Sequence, residues 1–557
     1  MGVLLARLFS CASGCSGLMN TQKTVTVLGG GFAGAFAAKR LRKVLPADVE
    51  VELVSERNYF VFQPLLPEVV GGTITATDAV TPLRLMLKDI NVRMGEVMDI
   101  DFANKKIELA QGSGRIPQFL SYDALVMALG TRGMDTLFPG LADHGFFVKN
   151  LTDAQQLRNH VIHCLEHADV TRNAQLKSQL LTFVIAGGGF SGVEVAGEVQ
   201  ELIARSLRHY PNISKDELKI LLVHSGKEIL PELSERLGAH ARERLVRRGV
   251  EFLLETRLAG ATAMGVETSA GDFVGSHTLI CTIGNGPVEL LEHLPLTLER
   301  GQIAVDANLQ VEGQEGVWAL GDNARVPLDD GSFAPTTAQF AVREAELIAT
   351  NVAAWLQGQS QAPFSYEPKG SMASIGHYDA VAEVYGRPLS GVFAWLLWRG
   401  FYWSLVPSVS TRLRIALNWL FDYVLPRSIV QISAPDDTGL SRRHYKAGDV
   451  LFDPGQHIDG LYTVVSGRLE SRILRSSGDS GEADHVRLIG VGEHWGEHSL
   501  SKPQATIGRL VALEDSEVLL IRRADFTRLS AALPFFQTYF DELPEARYPE
   551  ELQNNSN

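Results

Sequence analysis

The feature that most restricts how this chain can fold is a short β-branched strand that runs through a glycine turn into a helix. The strand TVTVL leads into the loop GGGFAG and then into the helical stretch AFAAKRLRKVL. In this arrangement Gly29 allows the tight turn, Gly31 lets the backbone approach a pyrophosphate, and Gly34 lets the helix pack on the strand. The next strand, VEVELVSE, ends at Glu56, which is placed to bind a pair of ribose hydroxyls. The pattern predicts an α/β fold with a Rossmann-like dinucleotide-binding domain.

The same pattern occurs a second time, 158 residues further along the chain. The strand LLTFVIA runs into the loop GGGFSG, in which Gly187, Gly189 and Gly192 take the three glycine positions, and Glu194 lies on the helix that follows. A chain with two dinucleotide sites typically moves hydride between two cofactors. The glycines themselves leave open which loop binds which cofactor.

Length, charge and cysteine content limit the number of domains and the kinds of partner that the chain can have. The 557 residues suffice for about three or four domains, and the formal net charge of −14 argues against nucleic acid as a partner. The four cysteines are too few and too scattered for a disulfide scaffold or a metal site, so no metal is expected and a reducing compartment fits best. No apolar run reaches the length of about 18 residues that a spanning helix needs.

A motif late in the chain indicates which cofactor each glycine loop binds. The segment VWALGD, which ends at Gly321 and Asp322, resembles the second flavin motif of the pyridine nucleotide-disulfide oxidoreductase-like FAD/NAD(P) family. The resemblance implies that Asp322 binds the ribityl chain of FAD, that the first loop holds FAD, and that the second loop holds the nicotinamide cofactor. YDALVMALGT, which contains Gly130, looks like the return strand that leads to the nicotinamide domain. Taken alone, Gly-Asp after a strand is also common in ordinary turns.

Further motifs narrow the resemblance. No cysteine lies between Cys15 and Cys164, which excludes the redox pair of the disulfide-type relatives and counts against a sulfide:quinone reductase. The run RNYFVFQPLLPEV instead resembles type II NADH dehydrogenases, and so do FPG, KNLTDA, ILP, PTTAQFA and KGSMASIG. The resemblance covers residues 24–430. It implies an FAD enzyme that passes two electrons from NADH to a membrane quinone without pumping protons.

The same resemblance implies roles for single residues. Ala338 and Gln339 are expected against the isoalloxazine on the quinone side, with Lys369 nearby to assist charge and proton movement. Glu194 is expected on the nicotinamide side. Each has a simpler alternative: Gln339 as a polar residue at a helix N-terminus, Lys369 as a solvated lysine, and Glu194 as a carboxylate on a helix surface.

The chain departs from the family pattern at three places. Arg132-Gly133 replaces a Thr-Asn pair, Arg343-Glu344 replaces a Gln pair, and His224 follows the strand LKILLV where a glutamate is expected. That glutamate would bind the adenosine ribose hydroxyls and repel the 2′-phosphate of NADPH, whereas His224 would not repel it. NADH is the expected hydride donor, and the absence of the glutamate leaves NADPH open as a second donor.

The segment between Arg387 and Arg427 has the composition of a membrane-surface anchor. It holds four of the seven tryptophans, and five arginines against one acid give it a local charge of +4. In LRIALNWLFDYV the apolar residues fall on one helical face and Arg414, Asn418 and Asp422 on another, which predicts an amphipathic helix. We therefore expect peripheral binding to a membrane surface at the cytoplasmic face of the inner membrane. A buried hairpin or a homodimer interface is the alternative.

Short strands and glycine turns after the linker predict a C-terminal β-roll. HYKAGDVLFDPG, DGLYTVVSG and GEHWGE resemble cyclic nucleotide-binding domains. Glu497 takes the place of the family's ribose-binding glutamate, but Thr506 stands where its phosphate-binding arginine is expected, and Arg509 falls on the opposite strand face. The sequence therefore predicts no tight binding of cyclic AMP or cyclic GMP and favours a docking, dimerising or differently liganded module.

The expected order is a tail, a first FAD segment, an NAD(P)H domain, a second FAD segment, a quinone-side and membrane-anchoring region, a linker, the β-roll and a second tail. The bounds are 1–23, 24–150, 151–290, 291–360, 361–430, 431–440, 441–545 and 546–557. Two rival functions stay open. One is a flavin reductase with a soluble acceptor; the other is a signalling protein with a degenerate redox core, against which the intact glycine loops argue.

Overall fold

The computed structural model describes residues 23–112, 115–432, 441–456, 458, 460–474, 483–496, 506, 508–522, 525–526 and 529. The chain divides into two compact units. Unit 1 comprises Met1–Phe60, Thr81–Arg132 and Gly286–Pro368, and unit 2 comprises Val61–Val80, Gly133–Asn285 and Lys369–Asn557. Each unit therefore contains one of the two glycine loops.

Unit 1 is built on a five-stranded parallel sheet. The central strand Thr24–Leu28 pairs on both sides, with Val27 opposite Leu53 and Val126. Because the carboxyl ends of parallel strands meet at one edge, the first glycine loop and the Gly-Asp turn lie at the same edge of the sheet. In pairing order the strands are Val317–Ala319, Ala124–Met127, Thr24–Leu28, Glu50–Ser55 and Asn91–Met94.

The two long helices of unit 1, Phe32–Val44 and Ala338–Leu356, pack against each other. Fully buried alanines of the first helix allow a close approach, and Arg40 reaches across to Glu346 at 2.5 Å. The smaller elements are the antiparallel strands Glu96–Asp101, Lys106–Gln111 and Ile116–Ser121, the strands Leu298–Glu299, Gln302–Ala304 and Ala324–Arg325, and the helices Leu83–Met86 and Glu289–His293.

Unit 2 contains the second parallel sheet. Its strands in pairing order are Gly145–Phe147, Thr278–Cys281, Thr182–Ala186, Lys219–Val223 and Val250–Leu253. The helices are Leu66–Gly71, Leu151–Val170, Ala174–Leu180, Phe190–Ser206 and Glu235–Arg247, and an antiparallel sheet is formed by Leu258–Thr262, Gly265–Thr268 and Phe273–Gly275. Asn150 and Asp153 form a capping box at the start of Leu151–Val170. The predicted α/β dinucleotide-binding fold is confirmed.

A small sheet and two helices follow in unit 2. The strands Gly370–Ser374, Ala380–Val384 and Arg387–Ser390 pair in antiparallel order. The helices are Val392–Leu405 and Val409–Val424. Over the residues that the structure describes, neither these helices nor any other is long and apolar enough to cross a bilayer.

The C-terminal part of unit 2 consists of two four-stranded antiparallel sheets. Buried side chains between the strands form one core, to which Tyr445, Tyr462, Trp495 and Leu510 contribute. One sheet has the order Ser441–Tyr445, Ser516–Arg522, Gly460–Ser466 and His494–Trp495, and the other has the order Val450–Phe452, Gly508–Ala512, Leu469–Leu474 and Ala483–Ile489.

This C-terminal core is in contact with a hairpin of the preceding domain. Ala263 and Met264, at the tip between two antiparallel strands, pack against the core. The Ala263 amide donates to the His444 carbonyl at 3.0 Å, and Lys446 pairs with Glu267. The hairpin tip therefore packs on the core of the C-terminal sheets.

Candidate functional site

The first glycine loop forms a tight turn and leaves open space at the start of the following helix. Gly29 has φ +107°, and a Cβ at this position would lie 2.0 Å from the Ala128 carbonyl oxygen, so no side chain fits. A Cβ at Gly34 would lie equally close to the Gly29 carbonyl oxygen. At Gly31, which caps the following helix, a Cβ would meet nothing within 4 Å. The backbone is therefore bare at the helix N-terminus, where a pyrophosphate can approach.

Two further residues of the predicted FAD site lie at the same sheet edge. Glu56 is exposed, one residue beyond the strand Glu50–Ser55. Gly130 has φ +72° and follows the neighbouring strand, and a Cβ there would also meet nothing within 4 Å. The structure thus brings the first-loop glycines, Glu56 and Gly130 to one edge.

The Gly-Asp turn is held from several sides. Asp322 is half-buried in the 3-10 turn Gly321–Asn323, and Gln302 donates to the Asp322 carbonyl at 3.0 Å. The Asn323 amide group donates to the Met127 carbonyl at 3.2 Å. The Gly321 N–H donates to the carboxyl group of Glu344 at 2.6 Å. Burial raises the pKa of Glu344 to about 7.

Ala338 and Gln339 begin the helix Ala338–Leu356, whose N-cap is Thr337. Both are half-buried. The Gln339 amide group donates to the Tyr366 hydroxyl at 2.6 Å. The side chain is therefore oriented by an aromatic partner 27 positions later in the chain, which no local sequence pattern indicates.

The second glycine loop repeats the geometry of the first. Gly187 has φ +115°, and a Cβ at Gly192 would lie 1.9 Å from its carbonyl oxygen. Gly189 caps the helix Phe190–Ser206 and has a Glu232 carboxylate oxygen at 3.6 Å as its nearest neighbour in the Cβ direction. The loop therefore presents the same bare backbone to a second pyrophosphate.

His224 lies against this second loop. It follows the strand Lys219–Val223, and its Nδ1 accepts a hydrogen bond from the Gly188 amide at 3.2 Å. The ring is half-buried. Because Nδ1 is the acceptor, a neutral His224 carries its proton on Nε2, and protonating Nδ1 would break this contact.

Replacing His224 by glutamate is expected to lower kcat/KM for NADPH by about tenfold and to change the value for NADH by less, because a carboxylate repels the 2′-phosphate. The measurement is the pair of kcat/KM values for wild type and variant. His209→Glu, at an exposed histidine outside the loop, is the control. Strict NADH selectivity in the wild type, unchanged by His224→Glu, would contradict the prediction.

Glu194 is half-buried on the helix that follows the second loop. One of its carboxyl oxygens accepts from the Ser374 amide and from the Trp398 indole, both at 3.1 Å. Burial raises the pKa of Glu194 to about 8, and the two hydrogen bonds oppose that shift. The group is therefore protonated at neutral pH and can hold or release a proton close to that value.

A cluster of buried charges next to Glu194 was not predicted from the sequence. The Arg427 guanidinium, of which 2% is exposed, contacts Glu198 at 3.1 Å and Asp422 at 3.0 Å. Glu68 accepts from Arg399 at 3.4 Å and from Trp419 at 2.7 Å. Burial raises the pKa values of Glu68 and Glu198, that of Glu198 to about 7.

This cluster corrects two expectations about the anchor segment. Arg399 and Arg427 are buried ion-pair partners, so they do not contribute to a lipid-facing charge. Trp395 and Trp398 are also buried, with 4% and 1% exposed. Trp395 makes a cation–π contact with Arg399, whose guanidinium carbon lies 4.1 Å from the ring centroid.

The second helix has two polar residues facing inward and its apolar face outward, while the first helix buries Trp395, Trp398 and Arg399. Asp422 is buried, and Asn418 donates to Asp78 at 2.7 Å. The apolar face of the second helix is exposed, from 42% at Leu417 to 79% at Val409. The exposed side chains, here called the apolar face, are Val392, Phe393, Leu396, Leu397, Phe401, Leu405, Val409, Leu413, Leu417, Leu420, Phe421 and Val424.

Lys369 is exposed at the start of the last segment of unit 2, and its carbonyl accepts from the Tyr385 amide at 2.9 Å. This exposure agrees equally with a proton-delivering role and with the simpler reading of a solvated lysine. The role of Lys369 stays a prediction.

In the C-terminal domain, Thr506 is buried, and its hydroxyl donates to the Gly508 carbonyl at 2.9 Å. Arg509 is exposed and pairs with Asp453 at 2.8 Å. Glu497 lies outside the described residues. The weak binding of cyclic nucleotides stays a prediction.

Three family profiles match the chain. Residues 23–345 match pyridine nucleotide-disulphide oxidoreductase, residues 369–428 match the NDH2 C-terminal domain, and residues 442–532 match the cyclic nucleotide-binding domain. Together they span both units.

Individual relatives agree. The chain is 29% identical over 436 residues to the type II NADH:quinone oxidoreductase Ndh of Mycobacterium tuberculosis, which covers 75% of this chain and 91% of that one. It is 30% identical over 377 residues to the type II NADH:quinone oxidoreductase of Staphylococcus aureus, covering 66% and 92%. The fold resembles that of NDH2 from Plasmodium falciparum in complex with NADH, with a TM-score of 0.67, 20% identity, and coverage of 73% of this chain and 100% of that one.

Proposed function

Because this chain belongs to the type II NADH:quinone oxidoreductases of the pyridine nucleotide-disulphide oxidoreductase family, we propose that its first glycine loop binds FAD and its second binds NADH. The enzyme passes electrons from NADH to a quinone. The observation that carries the assignment is the bare backbone at Gly31, together with the Asp322 turn at the same sheet edge. Chromatography of the flavin released on heating tests it: FAD supports the assignment, and FMN or no flavin contradicts it.

The residues around the two loops fit this chemistry. A bound FAD would supply the two-electron carrier between NADH and quinone. Glu56 and Asp322 are placed to accept hydrogen bonds from hydroxyl groups, and the glycines leave room for the phosphates. His224 supports the second loop.

Three residues are proposed to act on the reacting groups. Glu194, protonated at neutral pH, holds a proton next to the second loop. Gln339, fixed by Tyr366, supplies a polar group at a helix N-terminus next to Ala338. Lys369 supplies an exposed cation from which a proton can be delivered. None of them needs to form a covalent bond, because hydride transfer depends on positioning.

We also propose that the apolar face lies on a membrane surface, at the cytoplasmic face of the inner membrane. The support for this proposal is the helix Val409–Val424. Its polar residues Asp422 and Asn418 face the protein, while Leu413, Leu420 and Val424 are exposed. A lipid-dissolved quinone reaches such an enzyme from the bilayer. Since the helices lie along the surface, no proton pumping is expected.

Leu413→Glu combined with Leu420→Glu is expected to weaken binding to vesicles with anionic lipid by at least about tenfold, because two exposed apolar side chains no longer enter the lipid. Turnover of long-tailed quinones should fall while that of short-chain quinones stays unchanged. Co-sedimentation with vesicles measures the first effect. Leu85→Glu, at a leucine of unit 1 that is 70% exposed, is the matched control.

Co-sedimentation of the double variant at the wild-type level would contradict the proposed anchor. Point substitutions are sharper than removal of the chain beyond about residue 388, because the inner faces of both helices hold partners of Glu68 and Glu194.

A further inference from the structure

Glu344 is a buried carboxyl group without a cationic partner. It lies on the helix Ala338–Leu356 with 2% of its surface exposed. Its carboxyl group accepts a hydrogen bond from the backbone N–H of Gly321 at 2.6 Å. Among the ion pairs of the described residues none involves Glu344. The resemblance to type II enzymes expects a glutamine here, so the ionisable group is a property of this chain.

The charged neighbours do not neutralise it. Arg40, on the packed helix, pairs with Glu346, and Arg343 on the same helix as Glu344 pairs with that same carboxylate. The charged group that acts on Glu344 from the facing turn is Asp322, which is itself acidic. A buried carboxyl group that meets a second acid and no cation favours its neutral form. Burial and Asp322 together raise the pKa of Glu344 to about 7, against the hydrogen bond from Gly321.

The turn that Glu344 holds has little freedom to move. Gly321 has φ +72°, and a Cβ there would lie 2.7 Å from the Cβ of Ala33, in the helix after the first glycine loop. Gln302 fixes the carbonyls of Asp322 and Ala324 at 3.0 Å each. Glu344 is a further anchor, and it holds the N–H side of the turn.

We infer that Glu344 is a positioning residue for the flavin: in its neutral form it anchors the turn that presents Asp322, and its ionisation weakens flavin binding. The inference rests on the proposed function, which places Asp322 on the flavin. One carboxyl oxygen accepts from Gly321 while the other carries the proton. Loss of that proton places a second negative charge beside Asp322, on a carboxyl group of which 2% is exposed.

The direction of the pH effect follows from proton linkage. The pKa of about 7 belongs to the protein without flavin, and a bound flavin that covers the turn removes water from the carboxyl group and raises this pKa further. Flavin binding then takes up a proton above about pH 7, so flavin affinity is level below that value and falls as pH rises above it. Between about pH 6 and about pH 8.5 the loss is about tenfold.

The experiment measures flavin affinity by absorbance after dialysis at these two pH values, for the full chain and three variants. The wild type is expected to lose affinity about tenfold between them. Glu344→Gln keeps an acceptor for Gly321 and cannot ionise, so it should bind as the wild type does at low pH and show no pH dependence. Glu344→Leu leaves the Gly321 N–H unpaired and should bind about tenfold more weakly than Glu344→Gln at both pH values.

Glu346→Gln is the matched control, since Glu346 lies on the same helix, is partly exposed and is paired with Arg40. It should keep the wild-type profile. A Glu344→Gln protein with the same pH dependence as the wild type, or a Glu344→Leu protein that binds flavin as tightly as Glu344→Gln, would overturn the inference alone. A wild type that binds no flavin at either pH would overturn the proposed function and this inference with it.

Discussion

Replacing Gly31 by valine is expected to yield a folded protein without flavin, and NADH oxidation should fall by at least about a hundredfold. The backbone at Gly31 has φ −81°, which any residue adopts, and a Cβ would meet nothing within 4 Å. Valine should therefore cost the protein little stability, while its side chain fills the space at the helix N-terminus that the pyrophosphate needs. The measurement is the ratio of flavin to protein absorbance, with circular dichroism as the test of folding.

Gly400→Val is the matched control for this substitution. Gly400 is also exposed and free of neighbours, and it lies in the helix Val392–Leu405. Its variant should keep the full flavin content. Gly29→Val is unsuitable, because its side chain would collide with the Ala128 carbonyl and the fold itself would suffer. A full flavin complement in Gly31→Val would contradict the assignment of the first loop.

Replacing Arg427 by alanine is expected to destabilise the protein by about 3–5 kcal/mol, since it leaves Glu198 buried without its cation and Asp422 with Arg205 as its remaining cation. The guanidinium also donates to the Gly71 carbonyl at 3.0 Å, which would lose its partner. The change in the urea midpoint, followed by tryptophan fluorescence, measures the effect.

Two further variants test whether the loss of stability comes from unpaired buried charge or from the removal of an arginine side chain as such. Arg414→Ala removes an exposed arginine that approaches Asp78 only to 4.0 Å, and it should change stability by less than about 0.5 kcal/mol. Arg427→Met combined with Glu198→Gln and Asp422→Asn removes cation and acids together and should recover more than half of the loss. An Arg427→Ala protein within about 1 kcal/mol of the wild type would contradict the account of this cluster.

The glycine loops could be predicted from the sequence because their constraints are local. Gly29 needs a positive φ, Gly34 needs a close helix contact, and both needs lie within six positions of the chain. Glu344 was recognised as a departure from the family pattern, but its burial was not, since Gly321 lies on a different element.

The orientation of the second helix could not be predicted from its periodicity. The pattern of LRIALNWLFDYV indicates two faces, but it does not say which one meets the protein. Asp422 faces inward because Arg427 neutralises it there, and Asn418 faces inward because Asp78 accepts its hydrogen bond. Glu194 depends in the same way on Trp398, a partner 204 positions later in the chain. Contacts at such separations leave no local pattern.

The most direct test of the central claim is NADH oxidation by the purified protein without oxygen, with and without a short-chain quinone. We expect NADH to bleach the flavin absorbance and quinone to restore it, with one quinone reduced for each NADH oxidised. A flavin that NADH does not bleach, or whose absorbance quinone does not restore, would contradict the proposed function.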